Sequence, residues 1–198
     1  MAEIKNILIR ICEVFEEIDL NYVIVGGLAA IIMGKPRTTL DIDIIIEDDE
    51  SKINLLLKKL KIKKFDVLEE QISWAFQSGV NASIFDELSP MRLDVKVARK
   101  AIDIAALKSS ESTEYFGVHI RIASLNFILL GKIWFLGDIS DISDSELLEY
   151  NDIKDFINVY LENKNHVDLM WLEEKVSELR LVPTLTRILD YINQNFES

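Results

Sequence analysis

Apolar residues recur at Ile4, Leu8, Ile11, Phe15 and Ile18, the three-and-four spacing of a helix that buries one face, so the pattern predicts an opening helix. The next run, YVIVGG, is short and β-branched and ends in two glycines. LAAIIMG then has the length and composition of a short helix closed by Gly34. DIDIII reads as a second strand. After it, DDESKINLLLKKLK carries Ile53, Leu56, Leu57 and Leu60 at helical spacing, with Asp48 or Asp49 placed to cap it. FDVLEE and ASIFDEL are weaker strand candidates. MRLDVKVA alternates cleanly: Leu93, Val95 and Val97 point one way, while Arg92, Asp94 and Lys96 point the other. IDIAALKSS predicts a helix, and EYFGVHIRIAS a strand pair or one bent strand pivoting near Gly117.

Beyond Ser124 the pattern turns helical, with expected helices from Leu125 to Leu136, about Asp144 to Leu161, about Val167 to Arg180 and about Thr184 to Phe196. In SDSELL, Glu146 follows Ser143 by three residues, the spacing of a capping box. Pro183 stands where a first helical turn tolerates it. The alternation of strands and helices predicts an α/β (α+β) core over residues 1–122, a small mixed sheet with helices on one face. A C-terminal helical region is expected over residues 123–198. No repeat at solenoid period is present.

Composition narrows the classes. The 198 residues suit one compact domain or a core with an appendage, and 49% hydrophobic content is enough to fill it. Lys and Arg number 22 against 34 for Asp and Glu, a formal net charge of -12, so the molecule as a whole repels polyanions. Nucleic acid would need a local basic patch. LKKLKIKK, with Lys58, Lys59, Lys61, Lys63 and Lys64, reads first as a solvated helix end. MAEIKNILIRICEVFEEID is charged throughout and lacks the apolar run of a signal peptide, and no later segment is long and apolar enough to span a bilayer. The expectation is a soluble, cytoplasmic protein with no membrane contact. Cys12, the single cysteine, lies among Leu8, Ile11 and Phe15 and reads as a packed core thiol. With His119 and His166 as the two histidines, a histidine-rich metal site is not expected. Trp74, Trp134 and Trp171 fall among apolar neighbours and are expected as core or interface anchors. The acidic stretch after Gly137 lacks the central glycine of a calcium loop.

The chemistry concentrates on DIDIII. Asp41 and Asp43 are two residues apart and share a strand face, while Ile42, Ile44 and Ile46 share the other. Neighbouring carboxylates repel each other and lose water when buried, and a divalent cation resolves both problems. Hard oxygen donors at this spacing suit Mg²⁺ or Mn²⁺. Asp94 sits on another strand of the same pattern, so pairing the two strands brings a third acid to the first two, enough for two metal ions. Gly26 and Gly27 end a strand and open a helix, the arrangement that brings backbone amides close to phosphate. Arg37 adds positive charge on the loop returning to the acidic strand. Each feature alone has a plainer reading: a tight turn, a solvated strand end, a surface arginine, an Asp94 paired with Arg92 or Lys96. Their order and spacing together favour the site.

GGLAAIIMGKPRTTLDIDI, followed further along by RLDVKV, resembles the DNA polymerase β nucleotidyltransferase superfamily. Its signature is a Gly-Gly or Gly-Ser turn, a short helix, a strand with two alternate aspartates and a third acid on a later strand. The wording GG…A…G…R-x-T-x-DID is most similar to AbiEii-like and related uncharacterised prokaryotic members, and the resemblance is specific from Tyr22 to Val97. It implies that Asp41, Asp43 and Asp94 are catalytic and bind two Mg²⁺ or Mn²⁺ ions, and that Gly26 and Gly27 contact nucleotide phosphates. Arg37 and Thr39 would brace the loop or the triphosphate. Lys132 in SLNFILLGKIW would contact nucleotide phosphates, and Asp152 in EYNDIKDF, with Asp155 as its competitor, would complete the site. Leu28 after Gly27 departs from the Gly-Ser wording of kanamycin-type and minimal antitoxin-associated relatives, so their substrates are not carried over.

The implied function is transfer of NMP from an NTP to an acceptor hydroxyl, on a tRNA end, a protein or a small molecule, with release of pyrophosphate. A toxin-type member would add an antitoxin partner. The alternative is a catalytically degenerate member that binds nucleotide or a partner protein. An Asp-x-Asp glycosyltransferase ranks last, because that class needs a longer nucleotide-binding sheet before its acidic motif.

Overall fold

The computed structural model describes residues 2–196. Contacts divide the chain into two units, Met1–Leu28 with Thr38–Ser124, and Ala29–Arg37 with Leu125–Ser198. In chain order the first unit contains α1 (Ala2–Glu17), β1 (Tyr22–Val25), the start of α2 (Gly26–Met33), β2 (Asp41–Ile46), α3 (Glu50–Ile62), β3 (Phe65–Asp66) and α4 (Glu69–Gln77). It continues with β4 (Ala82–Asp86), β5 (Arg92–Val97), α5 (Ala101–Lys108), β6 (Glu111–Tyr115) and β7 (Val118–Ile122).

The strands form one mixed sheet in the order β3-β4-β5-β2-β1-β7-β6. β2 runs antiparallel to β1 and parallel to β5, and β5 pairs antiparallel with β4. Alternation sorts the strands' side chains. Ile42, Ile44, Leu93 and Val95 are buried, whereas Asp41, Asp43, Arg92 and Asp94 are only partly covered. α1 packs on β7 and on α3, and α3 reaches β3, so the helix pair runs across the apolar side. There the Arg10 guanidinium pairs with the buried Asp86 at 2.8 Å and lies over the Phe65 ring. α5 meets the other side, where Asp103 pairs with Lys96 at 2.8 Å.

Local chemistry accounts for the boundaries. Asp49 caps α3 by accepting from the Ser51 and Lys52 amides. Phe116 and Gly117 both have positive φ, 53° and 78°, and this two-residue turn makes EYFGVHIRI a hairpin rather than a bent strand. The lysine run ends α3, and Lys59 and Lys63 pair with Glu17 and Glu13 of α1. FDVLEE contributes only the two residues of β3, because Glu69 already opens α4, a helix with Ile72, Ala75 and Phe76 buried. Cys12 is buried beside the Tyr22 hydroxyl at 3.4 Å.

The second unit contains the later part of α2, then α6 (Leu125–Leu136), α7 (Asn151–Asn163), α8 (Leu169–Glu178) and α9 (Val182–Phe196). α6 packs on α7 and α8, and α9 closes against α7 and α8. The Ser143 hydroxyl and amide both donate to Glu146, the pairing the capping signal predicts, but they close a turn ahead of a single 3₁₀ turn, Leu147–Glu149, which itself has no side-chain cap. α7 therefore starts at Asn151 rather than near Asp144. The segment Ala29–Arg37 is held here: Asn163 Nδ2 donates to the Met33 carbonyl at 2.6 Å, and Gly34 lies against Val159 with no room for a larger residue.

Candidate active site

Two registers build the carboxylate face. β2 and β5 pair Asp43 with Asp94 and Asp41 with Arg92. β1 and β2 pair Val25 with Asp43, and α2 begins at the next residue, Gly26. Asp41, Asp43 and Asp94 thus share one face of two neighbouring strands, at the point where a glycine opens a helix.

Gly26 has φ of +65°, and a Cβ built on it would stand 2.0 Å from Asp43 Oδ2. Only glycine admits both the backbone conformation and the approach of the carboxylate. The N-terminus of α2 is partially positive, and an anion beside it is stabilised. Thr39, on the loop before β2, donates its hydroxyl to Asp41 Oδ1 at 2.6 Å. Ser83 of β4 donates to Asp94 Oδ1 at 2.5 Å.

Between the acids stands Arg92. Its Nε donates to Asp94 at 3.0 Å and its terminal nitrogen approaches Asp41 Oδ2 at 3.3 Å. The hydrogen bond and charge of Asp94, then the charges of Asp41 and Asp43, hold the guanidinium's pKa above its ordinary value. Asp94 is well covered, with 13% of its side chain exposed, whereas Asp41 and Arg92 are at 36% and 40%. Among the described residues, no three His, Cys, Asp or Glu side chains are arranged as a metal cage. The donor chemistry nevertheless fits a hard divalent cation: three carboxylates, no nitrogen or sulfur donor, and one arginine that already serves them as counter-charge. Sequence reading named Arg92 only as a plain partner of Asp94; its position two residues before Asp94 was the signal that it shares their face.

Arg37 and Lys132 belong to a different cluster, wholly within the second unit. Arg37 makes a two-pronged pair with Asp155, Nε and a terminal nitrogen each 2.7 Å from one carboxylate oxygen. Lys132, 5% exposed, sits 2.7 Å from Asp155 Oδ2 and 2.7 Å from Asp152 Oδ1. Burial raises the Asp155 carboxyl, but hydrogen bonds from Arg37 and Lys132 outweigh it and hold the group below the usual carboxylate range. Asp155 is the centre of the cluster and Asp152 its edge. Nothing in residue spacing announces this pairing, which joins positions 37 and 155.

The tryptophan expectation fails at two residues, at Trp134 with 38% exposed and most fully at Trp74. Trp74 is 66% exposed. The buried face of α4 is supplied by Ile72, Ala75 and Phe76, and Trp74 falls on the opposite side.

Comparison of the whole fold with solved structures places it. ANT(2'')-Ia in complex with adenylyl-2''-tobramycin superposes with a TM-score of 0.58 at 14% identity, over 91% of this chain and 98% of that one. The solution structure of the antibiotic-resistance factor ANT(2'')-Ia gives 0.55 at 15%, over 98% and 99%. An antigenic nucleotidyltransferase-like protein from Paracoccidioides brasiliensis gives 0.50 at 19%, over 96% and 95%. The chain has a nucleotidyltransferase fold. No protein-family model matches it, and no curated protein matches its sequence. No helix is long and apolar enough to cross a membrane among the described residues.

Proposed function

We propose that this chain is a metal-dependent nucleotidyltransferase that moves NMP from an NTP to an acceptor hydroxyl. The observation that carries the reading is the register of Asp43 opposite Asp94, with Asp41 on the same face and the α2 N-terminus adjoining. The shared fold supports it.

Asp41, Asp43 and Asp94 would hold Mg²⁺ or Mn²⁺, one or two ions, which when bound polarise the phosphate oxygens and neutralise charge at the leaving group. The amides at the start of α2, around Gly26 and Gly27, receive phosphate oxygens. Asp94 accepts the acceptor's hydroxyl proton at its carboxylate. The acceptor oxygen bonds to the α-phosphorus as the bond to the bridging oxygen breaks, and that electron pair leaves with pyrophosphate. Thr39 orients Asp41, and Ser83 orients Asp94. Arg92 neutralises the acids in the resting protein and must yield Asp41 and Asp94 when metal-bound nucleotide arrives. The Arg37–Asp155–Lys132 cluster sets the fold of the second unit in this reading, and a phosphate role for Lys132 requires it to leave two carboxylates.

Calorimetric titration of the four NTPs, with and without Mg²⁺, on the native protein and on Asp43→Asn, tests the assignment. Mg²⁺-dependent binding lost in the variant supports it. Full transfer activity in Asp43→Asn overturns the site.

A second reading is a binding scaffold without turnover, favoured by the Arg92 bridge across Asp41 and Asp94. It predicts nucleotide binding that is indifferent to Mg²⁺. The toxin-type, AbiEii-like form of the first reading adds an antitoxin protein as partner. Growth arrest on expression, absent in Asp43→Asn, is its test.

A further inference from the structure

On the far side of Asp94 from the glycine turn, a cleft of about 580 Å³ opens between α4 and the β3–β4 edge of the sheet. It contains the exposed Trp74 and Phe85, at 66% and 54%, together with Leu68 and Val80. Its charged lining residues are Asp66 and Glu70, and no Lys, Arg or His lines it. Ser83 also lines it, and the Ser83 hydroxyl is the one hydrogen-bonded to Asp94.

Strand register ties this cleft to the carboxylates. Asp66 pairs with Phe85, Phe85 with Arg92, and Arg92 with Asp41, one row across four strands. Ser83, Asp94, Asp43 and Val25 make the neighbouring row, which ends at the residue before Gly26. With strands about 4.8 Å apart, Ser83 and Asp43 are about 10 Å apart, less than the length of one small molecule. The phosphate-facing helix terminus lies at one end of the row and the cleft at the other, the relation that in-line displacement requires of leaving group and nucleophile.

We infer that this cleft receives the acceptor, and that the acceptor is a small organic cation with an aromatic or aliphatic body and a hydroxyl presented to Asp94. The inference rests on the nucleotidyltransferase reading for the word acceptor, but not for the ligand class. Exposed tryptophan beside carboxylates attracts a desolvated ammonium through both the ring face and the charge. The formal net charge of -12 draws cations to the molecule and opposes RNA. A volume of this size holds one small ligand.

The test uses the whole protein labelled with ¹⁵N and three probes of one shape: 2-amino-1-phenylethanol, neutral 1-phenylethanol and anionic mandelate. The amine is expected to shift the Trp74 indole N–H and the Val80 amide saturably, binding about tenfold more tightly than mandelate. Trp74→Ala should abolish binding, and the double variant Asp66→Asn, Glu70→Gln should bring amine and mandelate within about twofold of each other. Both substitutions change exposed side chains, so the native spectrum serves as the folding control. Mg²⁺–ATP should move the Gly26 and Gly27 amides and leave Trp74 in place. Mandelate binding as tightly as the amine, no shift at Trp74 with any probe, or displacement of Trp74 by Mg²⁺–ATP or by single-stranded RNA each overturns the inference. If the amine binds while Mg²⁺–ATP moves no α2 amide, the transferase reading falls and the ligand class stands.

Discussion

Gly26 and Asp43 occupy each other's margins: the glycine's missing side chain is where the aspartate carboxylate rests, with Oδ2 2.0 Å from the position of a Cβ. Gly26→Ala must therefore shift either the helix start or the carboxylate, and it also strains a backbone at φ +65°. The expected loss of stability is about 1–3 kcal/mol, read by thermal unfolding. Under the proposed function, transfer activity should fall further than folding explains, by about a hundredfold, because the displaced group would stand at the reacting centre.

Arg92 competes with any cation for Asp41 and Asp94. Arg92→Gln removes the competitor, and Mn²⁺ titrated without nucleotide should bind about three- to tenfold more tightly than to the native protein. The protein should lose less than about 1 kcal/mol of stability, because Arg92 and Asp41 are substantially solvated and the covered Asp94 keeps its hydrogen bond from Ser83. Since the guanidinium pKa is raised rather than lowered, raising the pH to 9 should not reproduce the variant's behaviour. Calorimetry on both proteins at pH 7 and 9 checks this.

The buried Asp155 carboxylate is shared by Arg37 and Lys132. Asp155→Asn leaves two cations facing a neutral amide and should destabilise the protein by about 3–5 kcal/mol, measured by urea unfolding. The folded-state pKa is depressed, so this stabilisation is complete above the unfolded carboxyl's value near 4 and is lost as pH falls through the folded value. Native stability should hold from pH 7 to 5 with respect to this group and decline below about pH 4, a decline the variant lacks.

How much of this was legible depended on whether the determinant was local. Alternation alone put Asp41 and Asp43 on one face and exposed Asp94 beside Arg92, and the glycine pair marked the helix start. The pairing of β2 with β5, which makes three acids one site, required the sheet order. Trp74 misled because its neighbours Ile72, Ala75 and Phe76 are apolar, while a short helix can turn a single large ring to solvent. Ser143 and Glu146 interact as their spacing foretold, yet cap no helix and only precede a single 3₁₀ turn, because a local hydrogen bond does not set whether a helix follows. Motif wording has Arg37 bracing the loop or the triphosphate and Lys132 contacting phosphates; their common partner Asp155 is contributed by α7, and no local pattern links the three.

Cys12 supplies a chemical probe of the first unit. Burial, countered in part by the Tyr22 hydrogen bond, pushes its thiol up to about 11. At pH 8 almost no thiolate exists in the folded state, so iodoacetamide should label native protein more than about a hundredfold more slowly than protein in urea. Rapid labelling without denaturant would show that α1 opens.

The return of residues 29–37 to the second unit means that the polypeptide passes between units three times, at positions 28, 37 and 124. A ribosome releasing this chain delivers Ala29, Ala30 and Ile31 long before Val159 and Asn163, their unit's contributors from α7, have been made. During synthesis the segment that joins the glycine turn to the acidic strand waits without its own unit's partners. A fragment cut at residue 124 would keep the seven strands of the described residues and every carboxylate of the candidate site, yet carry the apolar later part of α2 without the α7 residues that hold it. Because the segments of the two units alternate along the chain, neither a single scission nor a circular permutation of the gene would leave each unit as one continuous piece.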